Sequence, residues 1–202
     1  MVKTHEKTRK MTVLALFSAI IVILQIISTF IRFGQINITL ALTPIIIGAA
    51  LYGWKSGALL GFVFGLITVI AGIFGWDGGA VLPLLSLNPI ATVIFLLLKG
   101  ILAGIIAGLA YKAIAKKNKT AAAFTAGALA PITNTGVYMI GMLTIFRDYL
   151  ETMMQGVEST LPLAVLLFLG IAVNFSVELI VNLALGSAIT RIIDGISRKK
   201  SK

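Results

Sequence analysis

The sequence predicts an all-α membrane protein, a bundle of six transmembrane helices with both termini in the cytoplasm. Three observations carry that expectation. Hydrophobic residues make up 58% of the 202-residue chain, charged residues only 12%, and the mean hydropathy is +1.04. Positions 11–193 divide into about six apolar segments. Fourteen of the 17 basic residues fall on one side of those segments. A soluble domain cannot bury so much apolar surface, so lipid must solvate much of it.

A transmembrane helix needs about 20 apolar residues. The first fits Met11 to Ile31. That run is too long for a signal-peptide core, and Ser28-Thr29-Phe30-Ile31-Arg32 is no small-x-small cleavage site, so the helix is retained. The second runs from Ile38 to Tyr52, short and carrying Pro44. The third covers Ser56 to Phe74, and the fourth Pro89 to Ala115. The fifth fits Thr120 to Phe146, interrupted by Pro131. The sixth, Pro162 to Ile193, exceeds what a bilayer needs, so its end projects or tilts. The expected organisation is one integral membrane domain over residues 1–202, with basic tails at 1–10 and 194–202 around a bundle at 11–193.

Charge orients the bundle. Lys3, Lys7, Arg9 and Lys10 precede the first helix, Lys55 sits between the second and third, and Lys112, Lys116, Lys117 and Lys119 between the fourth and fifth. Arg191, Arg198, Lys199, Lys200 and Lys202 follow the sixth. The opposite loops hold Arg32 and Arg147 against Asp77, Asp148, Glu151 and Glu158. The positive-inside rule then puts both termini in the cytoplasm of a bacterial cell membrane. The net charge of +10 is thereby assigned to topology, and no nucleic-acid partner is expected.

Enzymatic readings find no support. The chain has no cysteine, and its one histidine, His5, lies in the polar N-terminus, so thiolate, triad and histidine–metal chemistry are excluded. No G-x-x-x-x-G-K-[ST] loop occurs, so this chain does not hydrolyse ATP by that route. Neither a cofactor nor a metal is expected.

The polar residues inside the apolar segments are the functional candidates. Lys99 and Glu178 are ionisable, and a charge at the bilayer centre costs about 2.5–3.5 kcal/mol even on the lenient insertion scale. Lys99 lies about 15 Å of helix rise past Pro89. Glu178 shares a helical face with Asn174 and Asn182. Lys99 and Glu178 form a buried ion pair between the fourth and sixth helices, or Lys99 binds a substrate anion while the Asn174/Glu178/Asn182 stripe supplies hydrogen bonds, or both hold in turn, with Lys99 leaving Glu178 when a ligand arrives. Asn134, Thr135 and Tyr138 follow Pro131 and form either a ligand wall or the surroundings of a plain kink. The turn-rich loop through Trp76 to Asn88 either caps a pocket or merely connects. The segment from Asp148 to Thr160 lies along the interface or covers the same pocket. Gly57, Gly61 and Gly65 on the third helix, and Gly100, Gly104 and Gly108 on the fourth, suit close packing inside the bundle. Ala15 and Ala19 on the first helix suit a partner helix.

Together these residues resemble the substrate-binding S component of energy-coupling factor (ECF) vitamin transporters. The resemblance spans essentially the whole chain. It rests on the basic tail before Ala15-x-x-x-Ala19 and on Pro44-Ile45-Ile46-Ile47-Gly48 through Gly53-Trp54-Lys55-Ser56-Gly57 to Gly61 and Gly65. Lys99-Gly100 with Gly104 and Tyr111, and the Asn174/Glu178/Asn182 stripe, complete it. The resemblance implies a high-affinity membrane subunit that captures a water-soluble vitamin. It also implies association with a membrane scaffold subunit (EcfT) and two ATPase subunits (EcfA type) that power release into the cell. Ala15 and Ala19 match the family's scaffold contact. The chain looks most like the pantothenate branch. Many relatives carry Arg where this chain has Lys99, so a point charge replaces a bidentate grip. Riboflavin or cobalamin remain alternative substrates. A stand-alone ion-coupled carrier and an accessory subunit without ligand are the competing classes, the former weakened by the absence of inverted repeats.

Overall fold

A computed structural model of the chain describes residues 2–30, 32–33, 36–37, 40–155, 161–185, 190, 191 and 195. Helix α1 (Val2–Phe30) leads into a two-residue antiparallel pair, β1 (Arg32–Phe33) with β2 (Ile36–Asn37), in register Arg32 to Asn37. Then follow α2 (Leu42–Tyr52), α3 (Trp54–Ile73), the short α4 (Leu82–Leu87), α5 (Pro89–Ile114), α6 (Lys119–Thr144), the short α7 (Arg147–Met153) and α8 (Leu163–Ala184). Among the described residues, four helices are long and apolar enough to cross a membrane: α1 over Glu6–Ser28, α3, α5 and α8. A fifth candidate is α6 with α7, bent by 89° where they meet.

Several sequence boundaries change. Helix α1 extends back through the basic residues before Met11, because the long apolar segment nucleates a helix that polar residues then propagate cheaply. Helix α2 begins at Leu42 rather than Ile38, with Pro44 in its first turn, where the missing N–H costs nothing. Its 11 residues rise about 16 Å, roughly half the ~30 Å hydrocarbon core, so α2 alone does not cross. Pro131 does not interrupt α6; the surrounding helical hydrogen bonds carry the chain past it, and the real break falls between α6 and α7. Helix α8 is assigned to Ala184, and most of the expected continuation to Ile193 lies outside the described residues.

The most extensive interface joins α3 to α5, and glycine makes it possible. A Cβ on Gly61 would collide with the Gly100 carbonyl, and one on Gly57 with the Gly104 carbonyl. The converse collisions arise at Gly100 and Gly104. Gly65 meets the backbone at Leu96 and Leu97, so the contact runs antiparallel along about two turns. Backbone-to-backbone approach of this kind gains dispersion contacts without needing a hydrophobic drive, which lipid does not supply. At its N-terminal end, α3 is joined to α2 by Gly53 alone, whose φ of 86° a side chain would strain.

Two apolar clusters flank this crossing. One gathers Phe17, Ile21, Ile45, Leu60 and Ala126, from α1, α2, α3 and α6. The other gathers Leu84, Phe95, Leu96, Met142 and Phe146 near the α4 end. Helix α8 turns Leu169, Val173 and Ile180 outward, so its apolar surface needs lipid.

Gly61→Val is expected to destabilise the fold by about 1–3 kcal/mol through overpacking. Gly136, also helical, has open space where a Cβ would go. Gly136→Ala is therefore expected to leave the melting temperature in detergent unchanged or slightly raised. Equal losses in the two variants would contradict the close α3–α5 contact.

Candidate functional site

The α3–α5 contact places the chemistry. Gly100 lies against Gly61, and the residue before it, Lys99, enters a cavity of about 170 Å³ in which the two apolar clusters meet. The Nζ of Lys99 stands 5.7 Å from the ring centre of Phe64 and 5.8 Å from that of Tyr138. Such contacts favour a cation that has lost water. A Cβ on Gly100 would meet the Phe64 ring, so the small residue that allows the crossing also leaves room for the aromatic floor under Lys99.

Six of the eight sequence candidates line this cavity: Lys99, Asn134, Thr135, Tyr138, Asn174 and Glu178. Three helices contribute them, α5, α6 and α8. Glu178 is only 1% exposed, and its Oε1 accepts from Asn174 Nδ2 at 3.4 Å. Lys99 lies within electrostatic reach of both Glu178 and Asp77.

The other two candidates stand elsewhere. Asn88 caps α5, its Oδ1 accepting from the backbone N–H of Ala91 at 3.0 Å. Trp76 is 48% exposed and stacks on Phe74 with ring centres 5.2 Å apart, outside the cavity lining. Asn182, on the same face as Glu178, also does structural work. It accepts from Thr43 Oγ1 at 3.0 Å and donates to the Glu178 carbonyl at 2.7 Å, tying α8 to α2. The residues 156–160 of the loop expected to lie at the interface or cover the pocket are outside the described set, as is Glu158. In the described part, Arg147 Nε pairs with Glu151 Oε1 at 2.7 Å on exposed α7.

Sequence reasoning passed over three cavity residues. Asp77 was counted only as an outer-loop charge. In the structure it is 8% exposed, and its carboxylate accepts from Gly79 N–H at 3.0 Å and Val81 N–H at 2.8 Å. Gly75, Gly78 and Gly79 adopt positive φ, which folds this loop back over the cavity. Gln25 of α1 and Thr68 of α3 also line it, with Gln25 Nε2 donating to Thr68 Oγ1 at 3.5 Å. A lone Gln in an apolar run was the available signal.

The buried polar inventory is unusual. Gln25 Oε1, Asn134 Oδ1 and Asn174 Oδ1 are buried with no hydrogen-bond partner among the described residues. An unmet buried acceptor costs about 1–3 kcal/mol, and all three belong to residues of this one cavity. The arrangement fits a ligand-binding pocket at membrane depth, with one cation, two carboxylates and several neutral amides. Among the described residues no cluster of three or more His, Cys, Asp or Glu side chains stands ready for a metal.

Against this geometry, the sequence model of the family described as "ECF transporter, substrate-specific component" matches residues 9–190. The chain belongs to that family. ECF substrate-specific components are multi-pass membrane proteins that bind substrate for a transporter, so this chain is a transport subunit and not an enzyme. It is also similar to the pantothenic acid transporter PanT of Lactococcus lactis subsp. cremoris (strain MG1363), 38% identical over 72 residues. That match spans 32% of this chain and 35% of the relative.

Lys99→Met and Glu178→Gln are each expected to lower the melting temperature, because each leaves buried charge less compensated. In a double-mutant cycle the pair should lose less than the sum, by about 1 kcal/mol or more. Strict additivity would mean that the two groups do not interact across the cavity.

Proposed function

We propose that this chain is the high-affinity pantothenate-binding subunit of an ECF-type importer in a bacterial cell membrane. Lys99 receives the vitamin's carboxylate, and the amides of α6 and α8 receive its polar groups. The observation that carries this reading is the cavity cation Lys99, which stands beside two aromatic rings in a cavity that also holds three unpaired amide oxygens. The partial similarity to PanT points to the same substrate.

The topology belongs to the same proposal. Six apolar helical segments pass through the membrane as one domain. Both termini lie in the cytoplasm, supported by Lys10 and Lys55 against the rings of Tyr52 and Trp54 near the α2–α3 turn. The Asp77 side of the cavity then faces outward. Delivery depends on a scaffold subunit, EcfT, and two EcfA-type ATPases. Ala15 and Ala19 are exposed on α1, which leaves their face open for the scaffold.

Native mass spectrometry of the purified chain tests the substrate: a copurified mass equal to pantothenate is the expected result, and a different vitamin's mass would replace it. Lys99→Ala is expected to weaken pantothenate about 100-fold, as for a lost charge-assisted contact, while barely affecting the neutral alcohol panthenol. Equal losses for both would make Lys99 structural. Leu at both Ala15 and Ala19 is expected to abolish uptake in cells while leaving pantothenate affinity intact; lost affinity would remove the scaffold face from the proposal.

A further inference from the structure

Which ligand groups does the cavity demand besides a carboxylate? Gln25 provides the answer. It is 8% exposed on α1, which no reading of the sequence placed at the site. Its amide orientation is set by its neighbour. Thr68 donates its hydroxyl proton to the Phe64 carbonyl at 2.9 Å, so its oxygen can only accept from Gln25. One of the two Gln25 N–H groups is thereby engaged, the amide is held in this orientation, and Oε1 is left as a bare acceptor. Asn174 follows the same logic: its Nδ2 points to the Glu178 carboxylate, which leaves Oδ1 bare. Asn134 Oδ1, on a side chain 6% exposed, is the third.

A bare carbonyl oxygen accepts only O–H or N–H donors. Lys99 is the reverse, a group that can only donate. The polar lining therefore calls for a ligand with one anionic end and several hydrogen-bond donors along its body.

We propose that the acceptor oxygens of Gln25, Asn134 and Asn174 select the ligand by its hydroxyl and amide donors, and that Gln25 is a specificity-determining residue contributed by α1. This inference rests on the pantothenate reading and adds to it. Pantothenate carries a carboxylate, one amide N–H and two hydroxyls. Because the site's own acceptors are buried, a ligand lacking the hydroxyls leaves them unmet and loses more than the contact alone. The Gln25–Thr68 bond makes Thr68 a positioning residue, since a valine there would free the amide to turn.

The test compares pantothenate with N-(3,3-dimethylbutanoyl)-β-alanine, which keeps the carboxylate and amide but lacks both hydroxyls. Titration calorimetry of the purified full chain in detergent gives both affinities. The wild type is expected to prefer pantothenate by about 100-fold or more, at roughly tenfold per hydrogen bond. Gln25→Met is expected to weaken pantothenate about tenfold and leave the analogue unchanged, so the preference shrinks. Thr68→Val is expected to shrink it in the same direction. Equal binding of the two ligands by the wild type would overturn the inference without any variant. So would an unchanged preference in Gln25→Met at wild-type melting temperature; if that variant does not fold, the wild-type preference and Thr68→Val decide. Failure of the wild type to bind pantothenate while binding another vitamin would overturn the substrate reading, a separate result.

Discussion

A cation in the middle of an apolar bundle is costly wherever lipid surrounds it, and Lys99 lies too far along α5 to reach either end comfortably. Much of the architecture compensates for that one charge. Two carboxylates, Asp77 and Glu178, lie within electrostatic reach, and two aromatic faces stand beside Nζ. The apolar clusters on either side close around the remaining space. Lys99 can hold this place because Gly61 and Gly100 let α3 and α5 touch backbone to backbone. Add a methyl group at either glycine and the helices separate, moving Phe64 and Thr68 away from the cation they flank.

Helix α8 shows how polar groups substitute for hydrophobic drive in such a bundle. Its apolar side faces outward, so packing alone gives it little reason to dock. Asn182 bonds to Thr43, and Gly127 of α6 lets the Asn182 backbone come close. One face of α8 thus divides its labour. Asn182 fastens the helix, Glu178 balances Lys99, and Asn174 keeps an acceptor free in the cavity. A hydrogen bond of this kind is worth about 0.6 kcal/mol on average in a membrane, so α8 is held by several modest contacts rather than one strong one.

Long-range order in the fold was legible where a single physical rule dominates. Apolar runs of bilayer length gave every long helix, and glycine spacing on the third and fourth segments pointed to the faces that meet. Lys99 and Glu178 stood out because charges are rare inside apolar helices. Gln25 and Thr68 did not, because a neutral polar residue in such a helix has many harmless positions. Their significance depends on the crossing of α1 with α3, which periodicity alone does not specify. Asp77 was hidden for another reason: it sits in a loop, and only the positive-φ glycines beside it turn its carboxylate inward. Trp76 and Asn88 were drawn into the candidate set by that same loop, yet one is exposed and stacked on Phe74 and the other caps a helix. The length of α2 was misjudged because apolar residues ahead of Leu42 do not distinguish helix from extended chain.

The central claim is that the buried cation and the bare amide oxygens are completed by one ligand. An experimental structure of the purified chain with pantothenate tests it most directly. The account predicts ligand density in this cavity, its carboxylate on Lys99 Nζ and its hydroxyls toward Gln25, Asn134 and Asn174. Density elsewhere, with Lys99 bonded to Glu178 and the cavity filled by water or closed, would contradict it.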